Sequence, residues 1–152
     1  MIKNDDNLII KGNNLIALHS LKKKFAGKVK LIYIDPPYNT GSDSFGYNDN
    51  FNHSTWLTFM KNRLEVAEKF LDYASGVIAV QCSFHEYPYL KVIMDEQFDK
   101  KNYKCTFHIK VRHPDRVLTG DKEFNDIIEY ILFYRLYNRR NSNCNTVIRY
   151  IF

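Results

Sequence analysis

Apolar residues along this chain fall into two kinds of run, and the two kinds alternate. Residues 7–10 (NLII), 29–34 (VKLIYI) and 77–82 (VIAVQC) are nearly uninterrupted, and the second and third read as strands buried on both faces. Between them the apolar positions recur at a helical period. Leu15, Leu18 and Leu21 do so in 12–25, and Trp56, Phe59, Met60, Leu64, Ala67 and Leu71 do so in 55–73. Segment 86–98 reads as a third helix, with Pro88 in its first turn where no backbone N–H is needed. Asn13 or Asn14 is placed to cap the first helix and Ser54 the second. Lys22–Lys24 suits the first helix's C-terminal end, and Gly27 is placed to stop it. Segments 103–111 and 126–136 read as two further strands with only polar residues 112–125 between them, so they predict an antiparallel edge. The tail beyond Tyr137 shows no period. This alternation predicts an α/β fold with a mainly parallel sheet.

Composition changes this picture little. The chain has 152 residues, 45% hydrophobic and 26% charged, which suits one soluble domain. A formal charge of +5 is compatible with nucleic acid but does not by itself indicate it. Cys82, Cys105 and Cys144 are odd in number and not at metal-ligand spacing, which fits a reducing cytosol and no metal site. No stretch reaches membrane-spanning length and the N-terminus is acidic where a signal peptide is apolar, so a cytoplasmic location is expected.

The chemistry concentrates where strand 29–34 runs into Asp35-Pro36-Pro37-Tyr38. Ligands of open α/β sheets sit outside the carboxyl ends of strands, which is where these residues fall. An exocyclic amine on a nucleobase is a poor nucleophile, because its lone pair is delocalised into the ring. Two acceptors aimed at its two N–H bonds favour a pyramidal nitrogen and push the lone pair outward. A carboxyl group is one such acceptor. The carbonyl of a residue before proline is another, held extended with no competing N–H. An aromatic ring beside them stacks on the base, worth roughly 1–3 kcal/mol. A base approached in this way has left the duplex stack. A rigid strand-ending turn with a surface tyrosine is the competing reading of the tetrapeptide alone. The long polar segment 35–53 that follows is of a kind more often functional than passive.

Four stretches carry a wider resemblance: 7–21, 29–71 with DPPYNTGSDSFGYND and STWLTFMKNRL, 76–82, and 89–98. They resemble the beta-class N6-adenine DNA methyltransferases, and most of all the modification (Mod) subunits of type III restriction–modification systems. Segment 113–135 resembles the same branch, and the likeness covers the chain to about residue 138. The resemblance implies a class I, Rossmann-like methyltransferase fold using S-adenosyl-L-methionine on a flipped adenine of double-stranded DNA. It implies that Asp35 and the Pro36 carbonyl accept from the adenine amine, that Pro37 holds the turn, and that Tyr38 stacks on the base. It places Asp35 near the cofactor's methionine part, Asn39 and Thr40 at the base pocket, and Asn13 where relatives often carry a cofactor-side Asp. It suggests a restriction (Res) subunit or a second methyltransferase copy as partner.

Two departures from the family pattern stand out. The family's glycine-rich cofactor motif, Phe-x-Gly-x-Gly, is not formed by any of the six glycines. Where many relatives follow the second strand with Asp-Asp-Asn-Glu, this chain has Ser83-Phe84-His85-Glu86. Residues 1–138 therefore read as the N-terminal part of a catalytic domain and 139–152 as an unassigned tail. The fold is expected to be incomplete and the chain inactive alone. Non-catalytic rivals are a remnant or an interaction module of a modification complex. The enzymatic rival, methylation of cytosine N4 or another amine, is disfavoured because those sites usually begin Ser-Pro-Pro or Asn-Pro-Pro. His53 and His85 read as structural, since amine methylation needs no strong base. The basic loop of Lys110, Arg112, 113–116 and Lys122 reads equally as a phosphate contact or a solvated loop.

Overall fold

The computed structural model of the protein describes residues 8–39, 52–111 and 127–136, with 146–151 as backbone. Three helices and five strands form the frame: α1 (Asn14–Phe25), β1 (Val29–Asp35), α2 (His53–Phe70), β2 (Val77–Cys82), α3 (Tyr87–Phe98), β3 (Tyr103–Lys110), β4 (Ile128–Arg135) and β5 (Thr146–Ile151). The strands make one mixed sheet in the order β3-β4-β2-β1-β5. β1 pairs in parallel with both β2 and β5. β4 runs antiparallel to both β2 and β3. The predicted antiparallel pair therefore forms, with its second strand lying inside the sheet and its first at the edge.

Local sequence explains each boundary. Asn13 caps α1, its side-chain oxygen accepting from the Leu15 and Ile16 amides at 3.1 and 3.3 Å. Gly27, at φ +68°, makes the reversal from α1 into β1, a conformation that costs glycine little. The cap of α2 is Asn52, which accepts from the Thr55 amide at 2.8 Å, rather than Ser54, so the helix starts earlier than the apolar period indicates. Asp72 organises the turn into β2 through both carboxyl oxygens, on Ala74 N and Ser75 Oγ. Residues 8–10 form no strand and Ile9 is 99% exposed. Apolar content made that segment resemble a strand, but a strand needs a hydrogen-bonded neighbour and it has none among the described residues.

The core lies on one face of the sheet. Ile32, Ile34, Ile78, Val80 and Leu132 point there and pack against Leu18 of α1, Trp56, Met60, Leu64 and Phe70 of α2, and Leu90 and Met94 of α3. The opposite face carries Tyr33, Gln81 and Glu129, which the register places on neighbouring strands. No helix of the described residues is long and apolar enough to cross a membrane.

Candidate active site

Because β1, β2 and β5 are parallel and β4 opposes them, the ends of the first three and the start of the fourth share one rim. That rim gathers Asp35, the 83–86 turn after β2, and Glu129 near the start of β4.

The chain after Asp35 is held at successive carbonyls. The Pro37 carbonyl accepts from the buried Trp56 indole Nε1 at 2.8 Å. The Tyr38 carbonyl accepts from Ser83 Oγ at 3.3 Å. Among the described residues, none donates to the Pro36 carbonyl. Of these three consecutive carbonyls, the middle and last accept hydrogen bonds and the first has no donor among the described residues. Asp35 is half-buried and Pro36 buried, so both groups sit at the wall of a rim and not on an open surface.

Tyr38 is also half-buried, and its hydroxyl donates to Glu129 Oε2 at 2.9 Å. Burial first, then the charge and hydrogen bond of Asp35, then Glu129, push this hydroxyl far above the ordinary tyrosine range. It therefore stays protonated and acts as a donor between two carboxyl groups. Glu129 is held in turn by Gln81 Nε2, and Gln81 Oε1 by the Tyr33 hydroxyl. This relay spans β1, β2 and β4 and fixes the phenol end of Tyr38.

Asn39 has φ +56°, a left-handed conformation in which asparagine is enriched among non-glycine residues. Its Nδ2 donates to Glu86 Oε1 at 2.6 Å. Glu86 is completely buried, and His53 Nδ1 lies 3.2 Å from the same oxygen. Cys82, beside them, has its thiol pushed up to about 12 by burial, with Glu86 and Glu129 adding to the effect.

The structure thus brings Asp35, Pro36, Pro37, Tyr38 and Asn39 into one half-buried segment. Asn13 lies outside this segment; its oxygen caps α1 and its side chain is exposed. Thr40, the rest of the loop to residue 51, and the basic residues 112–126 lie outside the described residues. Sequence reasoning missed Gln81, Ser83, Glu86 and Glu129 as partners of the segment, and it took Trp56 for core alone. The available signal was a single polar residue inside an apolar strand, at Gln81 and at Glu129. No group of three or more metal-ligating side chains occurs among the described residues.

Residues 29–148 match the model of the DNA methylase family, the N6 and N4 methyltransferases. The chain belongs to the DNA methylase family. It is 65% identical over 107 residues to the probable type III restriction-modification enzyme HindVI Mod subunit of Haemophilus influenzae, covering 70% of this chain and 14% of that protein. It is 35% identical over 131 residues to the type III restriction-modification enzyme EcoP15I Mod subunit of Escherichia coli, covering 66% of this chain and 20% of that one. This methylase chain thus spans about a fifth or less of the length of these two relatives. Among solved structures it resembles PvuII DNA methyltransferase, a cytosine-N4-specific enzyme, with TM-score 0.52, 15% identity, and coverage of 82% of this chain and 47% of that one. It also resembles M1.HpyAVI in complex with SAM, with TM-score 0.51, 13% identity, and coverage of 91% and 64%. At such identities the likeness establishes the fold, which is that of the class I methyltransferases, with only part of it represented in this chain.

Proposed function

We propose that this chain supplies the amine-gripping part of a DNA adenine-N6 methyltransferase of the type III Mod kind, acting on a base flipped from double-stranded DNA. The observation that carries the reading is the carbonyl sequence after Asp35. Pro37 and Tyr38 have their carbonyls bonded, Pro36 does not among the described residues, and Asp35, whose carboxyl reaches the Tyr38 hydroxyl, directly precedes it. A carboxyl and a free carbonyl on consecutive residues form the pair of acceptors that the two N–H bonds of an adenine amine require. The Tyr38 ring, its hydroxyl tied to Glu129, stacks on the base, and Asn39 and Thr40 border the pocket. Asp35 takes the first amine hydrogen bond and holds the proton that must leave once the nitrogen has been alkylated.

The methyl donor of this reading is S-adenosyl-L-methionine, which supplies an electrophilic methyl on a cationic sulfur when bound. The rim suits a cation, since the Asp35 and Glu129 carboxyl groups converge on one hydroxyl. Asp35 and the amide nitrogen of Asn13 are the contacts this chain offers the donor. No Phe-x-Gly-x-Gly run occurs in the 152 residues, so the backbone turn toward the methionine part is assigned to no residue here. Double-stranded DNA, a Res subunit and a second methyltransferase copy are the partners of the reading, and the cytoplasm is its compartment.

Cytosine N4 is the second reading, favoured by the N4-specific structural neighbour and disfavoured by Asp at position 35. One experiment separates the two. Fluorescence anisotropy measures binding of a thymine-tract oligonucleotide carrying one adenine, one purine (lacking the 6-amino group) or one cytosine. A charged and a neutral hydrogen bond together contribute about 2–4 kcal/mol, roughly 30- to 700-fold. The half-exposure of Asp35 points to the low end, so adenine is expected to bind about 30-fold tighter than purine. Asp35→Ala should abolish the preference. Equal binding of adenine and purine, or tighter binding of cytosine, would overturn the adenine reading.

A further inference from the structure

We infer that Glu86 is the positioning residue for the Tyr38–Asn39 segment, acting on the base through the backbone that it clamps. The inference rests on the amine-gripping reading above and assigns to that site a residue outside the Asp-Pro-Pro-Tyr motif.

Three observations meet at this carboxyl group. Glu86 is the most thoroughly buried acidic side chain described, at 0% exposure, and a buried carboxyl is costly unless it is well partnered. Its partners come from two elements other than its own. Asn39 Nδ2 reaches it at 2.6 Å from the end of the motif, and His53 Nδ1 at 3.2 Å from the first turn of α2. One carboxyl group therefore joins the end of the motif to the start of α2. Glu86 itself is fixed at the start of α3, where its carbonyl accepts from the Leu90 amide at 2.9 Å and the Ser83 carbonyl accepts from the Tyr87 amide at 3.1 Å.

The clamp has a directional consequence. Asn39 is held left-handed, which sets where the chain turns immediately after Tyr38. Ser83, in the same turn as Glu86, holds the Tyr38 carbonyl. With Trp56 on the Pro37 carbonyl, the anchors on the Pro37 and Tyr38 carbonyls among the described residues come from α2 and the 83–86 turn, and Glu86 joins those two elements. Releasing it frees Asn39 from its left-handed geometry and lets Tyr38 and the Pro36 carbonyl move relative to Asp35, which β1 holds in the sheet. Displacements of about 1 Å at such a site cost large factors in positioning.

The test compares Glu86→Gln with Glu86→Ala in the 152-residue chain. Glutamine keeps an acceptor oxygen for Asn39 at the same position, whereas alanine keeps none. Two readouts are taken. The Asn39 side-chain amide is followed by 15N–1H NMR, and the adenine-over-purine preference is measured with the oligonucleotides above. The expected result is a displaced Asn39 amide proton resonance in wild type and Glu86→Gln, moved to the solvent-exposed position in Glu86→Ala. The preference should fall about tenfold in Glu86→Ala and stay within about twofold in Glu86→Gln. Asn39→Gly permits the left-handed turn but removes the clamp, so it should lower the preference even if Glu86→Ala fails to fold. An unchanged preference in Asn39→Gly, or equal losses in Glu86→Gln and Glu86→Ala, would overturn the inference. If wild type shows no adenine preference, the amine-gripping reading fails first. The NMR comparison then decides the clamp alone, and an Asn39 resonance indifferent to Glu86→Ala refutes it.

Discussion

Replacing Trp56 with phenylalanine separates the two roles assigned to that residue. The indole is completely buried and forms part of the core, and its Nε1 holds the Pro37 carbonyl at 2.8 Å. Losing the hydrogen bond costs about 1 kcal/mol net, with the low end of a further 1–3 kcal/mol for the stranded carbonyl, because Pro37 is half-buried and water can reach it. The space left by the smaller ring adds about 1 kcal/mol. The sum is about 3 kcal/mol in urea unfolding, read as a lower midpoint at unchanged slope. The control is Phe70→Leu, a similarly sized cut into the same core at the far end of α2, where the side chain is also fully buried. Both variants lose stability. Only Trp56→Phe should also lose adenine-over-purine preference, by about fivefold, because a freed Pro37 carbonyl competes with that of Pro36 for the amine. A Trp56→Phe cost under about 0.5 kcal/mol, or equal preference in the two variants, would refute the carbonyl argument.

Other consequences follow from particular contacts. Asn52→Ala removes the α2 cap and should cost about 1 kcal/mol in urea unfolding, while Ser54→Ala should cost only a few tenths. Gly76→Ala places a Cβ 2.6 Å from the Asp72 carbonyl oxygen and 2.9 Å from its amide nitrogen, so backbone must shift. A loss of about 2–4 kcal/mol is expected, and a melting temperature within a degree of wild type would contradict the turn geometry. The Cys82 thiol, ordinarily near 9 and here pushed up to about 12, is protonated in the folded chain at pH values where the unfolded chain ionises. Its contribution to stability is therefore complete below pH 9 and lost as pH rises from 9 toward 12. Cys82→Ala should flatten the stability–pH curve in that window, and iodoacetamide at pH 8.5 should label the half-buried Cys105 well before Cys82.

The frame was legible because its signals are local. The run 29–34, the period through Trp56, Met60, Leu64 and Ala67, and Pro88 at the start of a helix each place an element without tertiary information. Residues 8–10 failed for the converse reason, since apolarity indicates burial or pairing and only a neighbouring strand decides which. β5 gave no period because a short edge strand needs none, and its pairing with β1 is set across more than a hundred residues of sequence. The motif Asp35–Tyr38 stood out because its candidate acceptors and ring are contiguous in sequence. Its supports were not. Glu86 lies 47 residues from Asn39, and Glu129 lies 91 residues from Tyr38, so their meeting depends on β2 and β4 being neighbours in the sheet. The exchange of Asn52 for Ser54 as cap is a two-residue ambiguity between adjacent polar candidates, settled only by which oxygen reaches Thr55 N.

The claim that Asp35 and the Pro36 carbonyl jointly pyramidalise an adenine amine is tested most directly at the nitrogen itself. An oligonucleotide with one adenine labelled with 15N at the 6-amino group is bound to the chain, and its nitrogen resonance is compared with the free strand. An upfield shift on binding, abolished in Asp35→Ala, is the result predicted here. A bound adenine whose amino nitrogen keeps the free strand's resonance would contradict the account.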